Sequence, residues 1–162
     1  MENRFIPTRE ALQDFAKKFP EINATSVETL ILFKHTADYV QHKIFDILEQ
    51  QYNVSEGKLV VMIALYQSRR PLAPSELAEK AGVTRATISV MLRRMQRDGL
   101  VCLSGSQEDK RAKTVELTES GRAFIEELLP SHFLRIASLV SSFSEQEKLL
   151  LIGLLKKLLS SQ

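Results

Sequence analysis

The stretch from Pro71 to Leu117, PLAPSELAEKAGVTRATISVMLRRMQRDGLVCLSGSQEDKRAKTVEL, decides the fold of this chain. Its first part predicts a short helix, because Pro74 is tolerated at the first helical position and Gly82 can adopt the positive φ that ends a helix. Thr84 is suited to cap a second helix, since its hydroxyl can accept a hydrogen bond from an amide near Thr87. The sequence therefore predicts two helices joined by a tight turn.

The second of these helices has two different faces at 3.6 residues per turn. The apolar face, which we expect to pack on the rest of the domain, consists of Ile88, Met91, Leu92 and Met95. The other side offers small residues, hydroxyls, an apolar side chain suited to a thymine methyl, and guanidiniums that pair with phosphate or guanine. The candidate DNA contacts are Arg85, Ala86, Thr87, Ser89, Val90, Arg93, Arg94 and Arg97, with Ser75 and Thr84 at the helix starts. Taken alone, the four arginines are explained at least as well by a solvated surface helix.

The residues after this helix favour DNA binding over that alternative. Leu100–Leu103 and Lys113–Leu117 predict two strands, and the residues between them form a polar tip. From Arg85 to Lys113 there are seven basic and three acidic residues, a larger excess than the net charge of +2 on the whole chain. A helix-turn-helix followed by a β-wing can present one helix to a major groove and one loop to the neighbouring minor groove. Positive charge is therefore concentrated where DNA would lie.

Four motifs in and just after this stretch resemble the MarR (multiple-antibiotic-resistance regulator) family. They are Gly82–Ser89, Asp98–Val101, Asp109–Arg111 and Leu117–Gly121, and by motif the resemblance runs from about Ser55 to Gly121. Members of the family are dimeric winged-helix DNA-binding proteins, usually repressors, and many are released from DNA by small ligands or oxidants. The resemblance thus implies a homodimer whose partner is double-stranded DNA.

The resemblance also implies roles for residues of the wing. Arg111 would enter the minor groove, and Asp109 would orient a basic neighbour without touching DNA. The other basic wing residues that we expect near DNA are Lys110 and Lys113. The chain departs from the family pattern at Cys102–Gly105, where many members carry arginines, and at Ala73, where a capping Thr or Ser is frequent. These departures suggest fewer phosphate contacts or a looser first helix.

Length and composition predict a single domain that is mainly α-helical with a small β-wing. With 162 residues, 44% of them hydrophobic, the chain can bury one core. We expect residues 55–118 to form the DNA-binding part, and residues 1–54 and 119–162 to form dimerisation helices. No apolar run approaches the roughly 18 residues of a membrane span, and the start lacks the apolar core of a signal peptide. A single cysteine fits a reducing compartment, so a cytoplasmic protein is expected.

The flanking helices are predicted from their apolar periodicity and caps. They cover Thr8–Lys18, Ser26–Gln51, Ser55–Gln67, a helix from the Thr118 cap to about Phe143, and a last helix that starts at the capping box Ser144–Glu147. The last helix carries seven leucines and one isoleucine between Leu149 and Leu159. Because one of its sides would stay uncovered in a single subunit, these residues predict a dimer interface.

A ligand pocket is expected where the dimerisation helices meet the winged part, as the resemblance implies. Its lining would be Phe33, Ala37, Val40, Met62 and Tyr66, and it would suit a small aromatic or amphipathic acid, although core packing explains these residues equally well. A second set shares one face of the long helix and could in principle hold a metal or line a ligand pocket: His35, Tyr39, His42 and Asp46. We interpret that face as solvated, because no further ligand completes a coordination set, and we expect no metal or cofactor.

The sequence offers no enzyme site. It has no phosphate-binding glycine loop, metal-ligand spacing or nucleophile motif. Two alternatives remain beside a DNA-binding regulator. The winged helix could serve as a protein-interaction module without DNA binding, or Cys102 could make the regulator redox-sensitive, although an apolar packing role is favoured for a cysteine in a wing strand. A salt-dependent gel shift would separate DNA binding from pure protein interaction.

Overall fold

The computed structural model describes residues 6–105 and 113–160, which form helices and one small sheet. In chain order the elements are α1 (Arg9–Lys18), α2 (Ala24–Tyr52), α3 (Glu56–Gln67), α4 (Pro74–Lys80), α5 (Arg85–Arg97), β1 (Val101–Gly105), β2 (Lys113–Leu117), α6 (Glu119–Ser138) and α7 (Glu145–Ser160). The prediction of a mainly helical chain with a small β-wing is confirmed.

The first of two compact units comprises Met1–Asp46 and contains α1 and most of α2. The guanidinium of Arg9 on α1 lies 3.8 Å from the carboxylate of Glu28 on α2, which ties the two helices together. The rings of Phe15 and Phe19 stack with their centroids 6.4 Å apart and are both exposed. An apolar surface is therefore left uncovered on α1.

The second unit, Ile47–Gln162, holds the main core. The helix α3 is buried over much of its surface, as its nearly continuous apolar sequence predicts. The apolar stripe of α5 faces this core: Ile88, Leu92 and Met95 are buried and Met91 is half-buried. Other fully buried side chains come from α4, both strands and α6: Leu77, Val101, Val115, Ile125 and Leu128. The predicted phase of α5 is confirmed.

The sheet consists of β1 and β2, paired antiparallel from Val101 opposite Leu117 to Gly105 opposite Lys113. Leu72 forms an isolated β-bridge with Val115 of β2, which the sequence did not predict. Its amide donates to the carbonyl of Val115 (3.1 Å), and the amide of Val115 donates back to Leu72 (2.9 Å). The segment before α4 is thereby hydrogen-bonded to the wing.

The helix α6 begins as predicted, with the Thr118 hydroxyl accepting a hydrogen bond from the Gly121 amide at 2.9 Å. The prediction that it extends to about Phe143 is wrong, because it ends at Ser138. After that residue the amides of Leu139 and Phe143 each donate to the backbone carbonyl three residues earlier. These hydrogen bonds form turns, and the turns separate α6 from α7.

The helix α7 starts at the predicted capping box. The Ser144 amide donates to the Glu147 carboxylate (2.8 Å), and the Glu147 amide donates to the Ser144 hydroxyl (3.3 Å). The hydrogen bonds from Ser144 also lower the pKa of Glu147. None of the α7 side chains is buried, and the strongly exposed ones are Leu149, Leu150, Ile152, Leu154 and Leu159. Most of this apolar surface has no cover within the described parts of the chain.

His132 on α6 gives the fold a pH dependence. Its ring is buried, with Nδ1 lacking a hydrogen-bond partner in the described chain. Burial, and then the charge of Arg135, lower its pKa below the ordinary value of 6.5. The unfolded chain therefore binds this proton more readily than the folded one, so stability falls as the pH drops below about 6.5.

We expect chemical denaturation of the protein to show this loss as the pH falls below about 6.5. In His132→Leu the dependence on pH should become flatter, whereas the exposed His42→Gln serves as a control that retains it. An unchanged slope in His132→Leu would contradict this role for His132.

Candidate nucleic-acid interface

The start of α4 is held by a carboxylate from inside the helix. Pro74 occupies the first helical turn as predicted, and Ala73 supplies no side-chain cap. The Glu76 carboxylate instead accepts hydrogen bonds from the Arg70 guanidinium (3.2 Å for the longer of two) and from the Ala73 amide (2.8 Å). These bonds, with that from Arg70 the stronger, lower the pKa of Glu76 to about 2. The Glu76 carboxylate is therefore charged at neutral pH. Ser75, the preceding residue of the helix, is exposed.

The turn before α5 has the predicted geometry. Gly82 adopts a φ of 62°, which is in the left-handed region. The Thr84 hydroxyl accepts a hydrogen bond from the Thr87 amide at 3.1 Å and lies 2.9 Å from the Thr87 hydroxyl. The prediction that Thr84 caps α5 is confirmed, and the cap fixes the N-terminal end of the helix that carries most of the candidate contacts.

The side of α5 opposite its buried stripe is exposed. All of its candidate residues lie at the surface: Arg85, Ala86, Thr87, Ser89, Val90, Arg93, Arg94 and Arg97. Val90 is 43% exposed. The structure therefore brings small, hydroxyl, apolar and basic groups together on one helix face.

The four arginines of α5 are not equivalent. The Nε of Arg93 donates to the backbone carbonyl of Ser89 at 3.2 Å, one turn earlier. Arg97 donates twice to the Asp98 carboxylate, at 3.2 and 3.3 Å. In the part of the chain that the structure describes, the guanidiniums of Arg85 and Arg94 have no such partner. These two are the most available for phosphate.

Asp98 connects the end of α5 with the start of α3, a role that the sequence did not reveal. Its second carboxylate oxygen lies 3.8 Å from the ammonium of Lys58, whose side chain is only 14% exposed. Lys58 also donates to the backbone carbonyl of Asn53 at 3.4 Å. A salt bridge between two helices depends on how the helices pack, which a single sequence does not state directly. The only sign of this one in the sequence was an acidic residue directly after Arg97.

The wing is described up to its tip. Asp109, Lys110 and Arg111 lie outside the described residues, as does the side chain of Lys113, so their predicted roles stay predictions. Cys102 is exposed on β1, with its sulfur 3.8 Å from the backbone carbonyl of Glu116 on the neighbouring strand. The predicted apolar packing role of this cysteine does not agree with its exposure. Redox sensing by Cys102 stays a prediction.

The segment Leu117–Gly121 joins the wing to α6 by close packing. The Thr118 hydroxyl donates to the carbonyl of Gly99 at 2.6 Å and so connects the two ends of the hairpin. A Cβ atom on Gly121 would lie 2.0 Å from the carbonyl oxygen of Leu100. Only glycine allows this approach, which gives the Leu-Thr-x-x-Gly motif a physical reason.

The residues predicted for an effector pocket belong to both units. Phe33 and Ala37 are exposed and Val40 is half-buried in the first unit. In the second unit Met62 is fully buried and Tyr66 lies under the guanidinium of Arg122, 5.4 Å from the ring centroid. The effector pocket stays a prediction.

The polar face of α2 is engaged locally. The Nδ1 atom of His42 lies 2.8 Å from the backbone carbonyl of Asp38, and the ammonium of Lys43 lies 5.6 Å from the centre of the Tyr39 ring. Among residues 6–105 and 113–160, no three His, Cys, Asp or Glu side chains are grouped as metal ligands. Within the same ranges no helix has the length and hydropathy needed to cross a membrane.

An exposed basic helix beside a two-stranded wing defines the class of winged helix-turn-helix proteins. The sequence profile of the MarR family matches residues 54–113. The HTH-type transcriptional repressor YetL of Bacillus subtilis (strain 168) is 33% identical over 159 residues, which cover 96% of this chain and 93% of that protein. The chain belongs to the MarR family.

Solved structures agree with this assignment. The S. aureus MepR–DNA complex has a TM-score of 0.70 at 27% identity and covers 81% of this chain and 96% of that one. YusO of Bacillus subtilis, at 24% identity, has the same fold with a TM-score of 0.66 over 87% of this chain and all of its own. The family relationship makes the chain a DNA-binding transcription regulator and not an enzyme.

Proposed function

We propose that the chain is a cytoplasmic transcriptional repressor that binds a pseudo-palindromic operator as a homodimer. The exposed face of α5 is the observation that carries this proposal. It combines the small Ala86, the apolar Val90 and the guanidiniums of Arg85 and Arg94, which have no partner within the described residues, on the side opposite the core. Such a face suits a major groove, where apolar groups meet thymine methyls and arginines meet phosphate or guanine. The name of YetL, a repressor, supports the direction of control.

The uncovered leucines of α7 support the homodimer. A second copy is the partner that we propose for them, since closed two-fold symmetry is the commonest way to bury a repeated apolar surface. A two-fold dimer also places two α5 helices on successive turns of DNA, roughly 34–36 Å apart. An operator with two half-sites at that spacing is therefore expected.

We further propose that a small aromatic or amphipathic acid releases the protein from its operator. Binding that favours the DNA-incompetent state must lower operator affinity, and DNA must lower ligand affinity by the same factor. A screen of aromatic acids by thermal shift, followed by an operator-release assay, tests this. Ligands that raise the melting temperature but leave operator affinity unchanged would contradict the regulatory role.

The wing gives a direct test of DNA binding. Arg111→Ala should weaken operator binding by about 1–3 kcal/mol, because an arginine in a narrow minor groove makes a specific electrostatic contact. Fluorescence anisotropy at several salt concentrations measures this, and thermal unfolding checks that the fold is intact. Operator affinity of Arg111→Ala equal to that of the wild type at moderate salt would remove Arg111 from the interface. The absence of any salt-dependent binding to the duplex would favour the protein-interaction alternative.

A further inference from the structure

A cavity of about 160 Å³ opens between the end of α3, the last residues of β2 and the first turn of α6. Its charged lining consists of Arg69, Arg70, Arg122 and Glu116, and its apolar lining includes Leu65. The cavity is open to solvent, since its four charged residues are all exposed, and its volume exceeds what a single water needs.

The charges around this cavity are only partly compensated. The guanidinium of Arg70 is neutralised by Glu76 and also donates to the carbonyl of Pro71 at 3.1 Å. Within the described residues neither Arg69 nor Arg122 has a hydrogen bond or ion pair through its side chain, and the guanidinium of Arg122 lies over the ring of Tyr66. Two guanidiniums with open donors thus face a single carboxylate.

We propose that this cavity binds a small anion that carries a carboxylate or phosphate group, held by Arg69 and Arg122. A guanidinium presents parallel N–H donors that match the oxygens of both groups, and such charge-assisted bonds are the strong ones in proteins. Arg70 is already neutralised by Glu76, so we do not count it among the groups that hold the anion. Glu116 competes with the ligand for the two open guanidiniums and so limits its affinity.

The position of the cavity on the wing favours a free small anion over a phosphate of DNA. The residues of β2 that line it, from Val115 to Leu117, pair with the start of β1 and lie at the end of the hairpin away from its tip. In the proposed function DNA meets the wing tip and α5, and this choice of ligand rests on that proposal. The binding itself is measured without DNA, so the two can fail separately.

Isothermal titration calorimetry of the full protein in low-salt chloride buffer tests the site, with inorganic phosphate and benzoate as separate probes. We expect saturable binding of at least one of them, at one site per chain. Arg122→Gln and Arg69→Gln should each weaken it about tenfold, as the loss of a hydrogen bond to a charged group does. Glu116→Gln should tighten it several-fold. Lys18→Gln on α1, which removes the same charge at an exposed position far from the cavity in sequence, should leave it unchanged.

Three results would overturn the proposal. The first is no saturable binding of either anion to the wild type or to Glu116→Gln, a surface variant that should fold normally. The second is equal weakening by Lys18→Gln and Arg122→Gln, since the anions would then sense only net charge. The third is a loss of operator affinity in Arg122→Gln beyond about twofold, which would assign this guanidinium to DNA.

Discussion

Val90→Glu is expected to abolish operator binding while the protein stays folded. Val90 is 43% exposed on the face of α5 that we place in the major groove. A carboxylate there would lie against base edges and close to phosphates, and such a juxtaposition of like charges costs several kcal/mol. We therefore expect the operator Kd to rise by more than about a hundredfold.

Two controls make this result specific. Val90→Ala removes the same apolar contact without adding charge, so its operator affinity should fall by no more than about tenfold. The melting temperature of Val90→Glu should change little, because surface substitutions usually alter stability by less than about 0.5 kcal/mol. A large loss of thermal stability would contradict the orientation of α5, and unchanged operator affinity would remove Val90 from the interface.

The second large effect concerns assembly. The double variant Leu150→Glu/Leu154→Glu should dissociate the dimer into monomers at micromolar concentration. Both side chains are exposed in the single chain, at 64% and 57%, and lie one turn apart on α7. Covering a leucine contributes about 1.5–3 kcal/mol, and a charge in its place adds a cost of desolvation. Loss of the dimer should also remove most operator affinity, because each half-site would be bound alone.

Light scattering measures the mass of the double variant, and Lys156→Glu on the same helix is its matched control. Lys156 is exposed and polar, so this control should remain dimeric unless α7 is buried on all sides. A wild-type protein that has the mass of one chain at micromolar concentration would contradict both the α7 interface and the two-fold operator.

Much of the winged part could be predicted because local chemistry decides it. Pro74, Gly82, Thr84 and Gly99 mark helix ends through fixed φ, positive φ or a capping hydroxyl, and the structure has each of these features. The phase of α5 followed from the 3.6-residue spacing of its apolar side chains. These signals act over a few residues, so one sequence is enough to find them.

The features that the sequence did not reveal depend on contacts between distant segments. Leu72 pairs with Val115 although prolines flank it closely, which gives no strand pattern to find. The end of α6 carries Leu139 and Val140, so neither glycine nor proline announced the turn. The bond between Asp98 and Lys58 likewise joins residues forty positions apart. Which arginines of α5 remain available for DNA was therefore visible only in the structure.

A gel shift on the DNA that flanks the protein's own gene, beside a scrambled duplex of equal length and composition, tests the central proposal most directly. We expect one discrete complex that contains two protein chains, with the native duplex bound at least about a thousandfold more tightly than the scrambled one at physiological salt. A footprint should show two half-sites separated by one helical turn. Equal affinity for the two duplexes, or a complex with a single chain, would contradict sequence-specific binding by a homodimer.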